Sequence, residues 1–169
     1  WGKPADVPEG ASGFAYHRYL TPMLGVFLVL QLIELAVMHM LLMLWSPRLA
    51  WVLLVLSGWG VVWMFALLKS LRLNPVLLTA NGVRVRAGFL IDVLVPYAQI
   101  KGVRGPSGAD EVKAKATLNA AIFSWPEIVM ELSEPLAVPG FLGRDRTISK
   151  VAMKLDDATA FHEQLGKLR

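Results

Sequence analysis

The chain has 169 residues, no cysteine, 55% hydrophobic and 18% charged residues, and a formal net charge of +4. A soluble domain carries about 25% charged residues, so this is not one evenly mixed soluble domain; the missing cysteines exclude disulfides, thiolate chemistry and cysteine-held zinc or iron–sulfur sites. From residue 73 onward 12 basic residues face 10 acidic ones, a balance that, with no base-stacking motif, argues against a nucleic-acid partner.

The chain opens on WGKPADVPEGASG, rich in Pro and Gly and without apolar period. Residues 1–18 are therefore expected to form a flexible cytoplasmic segment. Phe14 to Tyr19 mixes aromatic and basic side chains, a composition suited to the headgroup layer. The first residue is Trp1 rather than Met, so the true start is expected upstream.

Two apolar runs follow, Leu20–Trp45 and Leu49–Leu68. Each meets the roughly 20 residues that a helix needs to cross the hydrocarbon core. The first is longer than the roughly 7–15 apolar residues of a signal-peptide core and is expected to be retained. Ser46-Pro47-Arg48 between them reads as a tight turn, with Trp45 and Trp51 as interfacial anchors. Residues 19–69 thus read as an antiparallel two-helix hairpin. Only Arg48 is basic at the turn, against Lys3 and Arg18 before the first span and Lys69, Arg72, Arg84 and Arg86 after the second. The excess of positive charge predicts that both termini lie in the cytoplasm.

Three polar residues interrupt the first run: Gln31, Glu34 and His39. An ionised carboxylate at the centre of a bilayer costs roughly 2.5–3.5 kcal/mol or more. Glu34 should therefore be neutral or face protein. At about 100° per residue the three side chains share an arc of about 140° and can meet one partner surface. In the second run Ser57-Gly58-Trp59-Gly60 offers small residues that allow close helix approach, with Ser57 in reach of Gln31 or Glu34. Three uses are open: a contact inside the hairpin or between copies, a contact with another integral membrane protein, or a proton or ion relay through Glu34 and His39.

Beyond Arg72 the pattern changes to short alternating pieces. Residues 75–88 hold two strands around Asn81-Gly82, a pair that favours a two-residue hairpin turn. Val83 and Val85 alternate with Arg84 and Arg86, giving an apolar and a basic face. Residues 89–97 read as a third strand and 99–103 as a fourth. Gly105–Ala116 reads as a loop. Alternation returns at residues 128–132 and 151–155. The end, DDATAFHEQLGKLR, places Phe161, Leu165 and Leu168 on one helical face, with Asp156 as the expected N-cap.

Thr79, Gly82, Val83, Val95, Pro96, Tyr97, Ile100 and Val103 together resemble the pattern of the bacterial pleckstrin-homology-like domain found beside transmembrane helices. The closing LDDATAFHEQL is similar to the last helix of that fold. The resemblance covers residues 73–169. It implies a curved antiparallel barrel plugged at one end by a helix. The expected fold class is thus a membrane α-helical hairpin joined to a mainly β (all-β or α+β) cytoplasmic domain.

No nucleophile–base set, phosphate-binding glycine loop or dinucleotide fingerprint is present. His17, His39 and His162 have no metal-ligand spacing, and neither a metal nor another cofactor is expected. Arg18, Lys69, Arg72, Arg84, Arg86, Lys101 and Arg104 can meet anionic headgroups, at roughly 1 kcal/mol each when close. The expectation is a non-enzymatic protein of the bacterial inner membrane. It would be an accessory or scaffolding subunit with membrane lipids and another integral membrane protein, or copies of itself, as partners. The alternative is a multi-copy transporter or proton-conducting assembly using Glu34.

Overall fold

The computed structural model describes residues 5–106, 108–139 and 145–168. Helices α1 (Leu20–Trp45) and α2 (Pro47–Leu73) occupy the two apolar runs. At 26 and 27 residues, both are long and apolar enough to cross a membrane. Their connection is tighter than the three-residue turn expected. Ser46 alone separates them, in extended backbone, and Pro47 opens α2. Proline suits that position because its missing N–H has no partner there anyway and its fixed φ is already helical.

The outward faces of the hairpin are apolar, with Val26, Val29, Leu30, Val52, Val55 and Leu56 all exposed. Its base is not. Leu20 and Leu24 of α1 and Leu67 and Leu71 of α2 are buried and join the same core as the strands. Burying four leucines there, at about 1.5–3 kcal/mol each, ties the helices to the β region.

That region contains β1 (Ser12–Phe14), β2 (Val76–Thr79), β3 (Gly82–Ala87), β4 (Ile91–Pro96), β5 (Ile100–Arg104), β6 (Thr117–Asn119), β7 (Ile128–Pro139) and β8 (Asp145–Met153). Two short or terminal helices complete it, α3 (Ala109–Lys113) and α4 (Ala158–Leu168). The strands form two four-stranded sheets, in the orders β1-β2-β3-β4 and β5-β7-β8-β6. Val83 and Val85 of β3 face Val95 and Val93 of β4 in register, and all four are buried. Phe161 and Leu165 bring α4 into the same core, and the Phe161 ring stands edge-on to Phe14 at 5.3 Å.

Four expectations are corrected. Residues 5–18 are not a free segment: β1 pairs antiparallel with β2, so the chain before the hairpin completes a sheet made mostly by the chain after it. Asp6 N also donates to the Leu73 carbonyl, and Asp156 N to the Ala15 carbonyl. These are backbone bonds, available to any sequence, which is why no side-chain period announced them. Lys3 and the rest of residues 1–4 lie outside the described residues. Second, the β2–β3 turn is Ala80-Asn81, because Thr79 pairs with Gly82. Gly82 already belongs to β3, at φ +154°, and a Cβ there would strike the Val95 carbonyl oxygen. Glycine is required by the close passage of β4 rather than by the turn.

Third, the second sheet is mixed: β6 lies parallel to β8. Part of the expected 105–116 loop folds as α3 and carries the chain back, so β6 starts at the same end as β5. Fourth, the cap of α4 is Asp157, whose Oδ1 accepts from Ala160 N at 2.9 Å. Asp156 instead accepts from the Arg18 backbone N at 3.3 Å.

Candidate functional site

The polar residues of the hairpin meet at the seam between α1 and α2. Small residues on α2 make the room. Ala50 is fully buried, and the His39 ring lies over it, with the Nδ1 position 3.4 Å from the Ala50 carbonyl oxygen that accepts from it. The same ring stands edge-on to Trp51 at 5.5 Å. Farther toward the base, Gly60 leaves space for Gln31: a Cβ there would be 2.9 Å from Nε2.

Between these two contacts lies a cavity of about 170 Å³. Glu34, Met38 and His39 of α1 line it together with Ala50, Leu54 and Ser57 of α2. Three of the four predicted intramembrane residues thus share one cavity, with Gln31 beside Gly60 on the same seam. The helical arc read from the sequence placed the α1 residues on one side. Only the docked second helix turned that arc into a lined space.

Ser57 makes no hydrogen bond to Gln31 or Glu34 among the described residues. Glu34 is exposed, and among the described residues nothing hydrogen-bonds to its carboxyl group or pairs with it. A partly open cavity, lined mostly by apolar side chains with His39 and Ser57 among them, therefore carries one strong acceptor at its edge. Among the described residues no three His, Asp or Glu side chains come together as a metal site.

The seven basic residues separate into two groups. Arg18 precedes α1, while Lys69 and Arg72 lie in the final turns of α2; all three are exposed at the base of the hairpin. The remaining four lie on strands, where Lys101 is exposed. Arg84 forms a bidentate pair with Asp92, both bonds 2.7 Å. Arg104 binds Glu111 and Glu131, and Lys150 joins the cluster through Glu111 at 2.6 Å. Hydrogen bonds from Arg104 hold the Glu131 carboxyl below its ordinary range. Arg86 contradicts the headgroup expectation outright. It is buried, donating to the Pro75 carbonyl at 3.1 Å, to Asp6 Oδ2 at 2.8 Å and to the Asp6 carbonyl at 2.6 Å. The N-terminal segment folds over it, so this guanidinium is an internal clasp.

Two further groups hold the β region together. Tyr16 is buried and its hydroxyl oxygen accepts from Gly88 N at 2.7 Å. Burial pushes its pKa up to about 12. Tyr97 OH donates to the Thr79 carbonyl, and Thr79 Oγ1 to the Gly82 carbonyl, each at 2.8 Å. Tyr97, Thr79 and Gly82 were visible as a motif, whereas the Phe14–Tyr19 stretch expected at the headgroups instead buries Phe14 and Tyr16 in the core.

No protein-family model matches the chain, and comparison with curated proteins and with solved structures returns no significant match.

Proposed function

We propose that the chain is a non-enzymatic accessory or scaffolding subunit of the bacterial inner membrane. Its α1–α2 hairpin spans the bilayer with both termini in the cytoplasm, and its seam receives a helix of another integral membrane protein. The β region is its cytoplasmic docking module, of pleckstrin-homology-like type. One observation carries this reading: Glu34 sits exposed at the edge of the seam cavity with no partner among the described residues. An unpaired carboxyl group in hydrocarbon is costly, and a polar group from a neighbouring helix removes that cost. The orientation is supported by Arg18, Lys69 and Arg72 at the base against Arg48 at the turn. The module's type is supported by the way Thr79, Gly82, Val95 and Tyr97, all motif positions, meet one another.

The test is purification of the full chain in mild detergent with mass measurement, beside Glu34→Leu. A defined complex with an integral membrane protein, lost in the variant, is the expected result. A strict monomer in both preparations refutes the proposal. A second reading, a multi-copy proton-conducting assembly, is favoured by Glu34 and His39 lining the same cavity. It predicts that Glu34→Gln abolishes proton flux into liposomes, and unchanged flux removes it.

A further inference from the structure

Two loops of the β region carry large apolar side chains that the core does not use. The β3–β4 turn exposes Phe89 (52%) and Leu90 (49%), and the β6–β7 loop exposes Phe123 (67%) and Trp125 (51%). Neither loop points away from the hairpin. Gly88 lies against Ser70 and Leu71, where a Cβ would be 3.2 Å from either side chain. The Phe89 ring then meets Trp63 edge-on at 5.9 Å. Trp63 precedes Lys69 by six residues, so at 1.5 Å rise per residue the turn reaches about 9 Å past the basic end of α2. In the other loop, Ser124 Oγ donates to the Tyr19 hydroxyl at 3.1 Å, directly beside the start of α1. Lys154 Nζ stands 4.9 Å over the Tyr19 ring. Phe123 and Trp125 flank that bond. One apolar loop thus stands beside each helix, at the end of the hairpin away from Ser46.

We infer that these two loops are a lipid-binding surface. Phe89, Leu90, Phe123 and Trp125 enter the leaflet that the hairpin crosses, and Lys69 and Arg72 meet its phosphates, while Lys154 pairs with Glu127 at 2.9 Å. The inference rests on the membrane-spanning reading of α1 and α2. Interfacial protein segments insert about 5–10 Å into the headgroup–acyl boundary, which matches the reach of the β3–β4 turn. Aromatic side chains favour that depth because an apolar ring gains there without losing contact with water. The consequence is geometric: the β region is seated on the bilayer at three places, two loops and the hairpin, and cannot swing freely on the helix ends.

The chain has no cysteine, so single cysteines report cleanly. Leu90→Cys and Phe123→Cys would each carry a nitroxide in the full chain, held in nanodiscs of phosphatidylglycerol and phosphatidylcholine. Leu56→Cys in α2 is the lipid reference. Asn81→Cys is the water reference, since the six residues of β3 separate it from the β3–β4 turn by about 20 Å. The ratio of collision with oxygen to collision with a water-soluble nickel chelate is then measured at each site. The expected result is a ratio at Leu90 and Phe123 well above that at Asn81 and below that at Leu56. Ratios equal to that at Asn81, with Leu56 still in lipid, refute the lipid surface and leave the spans standing. Labels shielded from both reagents refute it in favour of a protein cover. A water-exposed Leu56 overturns the spans, and the inference with them.

Discussion

Tyr16→Phe removes one oxygen atom from the buried junction between the N-terminal segment and the β3–β4 turn. That oxygen accepts from Gly88 N at 2.7 Å, and both residues are buried. The variant keeps the ring and leaves the amide without an acceptor. An orphaned buried donor costs about 1–3 kcal/mol. At 1.36 kcal/mol per tenfold, amide exchange through opening of the turn should accelerate about 5- to 150-fold. Hydrogen–deuterium exchange of the full chain in detergent, followed on the peptide covering residues 84–91, reads this directly. Peptides from α4 serve as the internal reference.

Alkali supplies an independent check on the same residue. Burial raises the Tyr16 pKa from 10 to about 12 in the folded chain. Because the folded value is the higher one, its stabilisation is complete below pH 10 and is lost as pH rises through 12. Two pKa units correspond to about 2–3 kcal/mol. The parent chain should therefore lose about that much more stability between pH 10 and 12 than Tyr16→Phe does. Unchanged exchange in the turn, together with parallel alkaline curves, would show that the Tyr16 hydroxyl holds nothing in place.

Two other substitutions bear on the fold. Gly82→Ala places a methyl group into the Val95 carbonyl and should cost at least about 1–3 kcal/mol, whereas Gly102→Ala, with open space around it, should stay within about 0.5 kcal/mol. Paired thermal melts in detergent separate the two, and equal melts would contradict the close passage of β3 and β4. Arg86→Met removes the three hydrogen bonds that hold Pro75 and Asp6. It should cost about 1–3 kcal/mol and expose residues 5–11 to limited proteolysis; a protease-resistant N-terminus in that variant would deny Arg86 its clasp.

The candidate site was legible in part because helix geometry is local. Gln31, Glu34 and His39 share a face at any helix of that register, and small residues at Ser57 to Gly60 mark where a neighbour comes close. The cavity needed the second helix in place, and so did the contact of His39 with the Ala50 carbonyl. The headgroup role expected of Arg86 failed for a related reason. Alternation correctly put it opposite Val83 and Val85, but alternation says nothing about which distant segment lies across that face.

The same division holds for the whole molecule. Sequence alone determined that two long apolar helices precede a strand-rich region, because uninterrupted hydrophobic length and period-two alternation are properties of neighbouring residues. It also determined that Phe161 and Leu165 face the core, since the i, i+4 spacing leaves them one side to share. Tertiary structure decided that β1 belongs to the sheet beyond the hairpin, that β6 runs parallel to β8, and that Phe89 reaches Trp63 of α2. Each of these joins parts of the chain far apart in sequence through backbone bonds or ring contacts. Many partners satisfy such a bond equally well, and only the packing of all the others selects one.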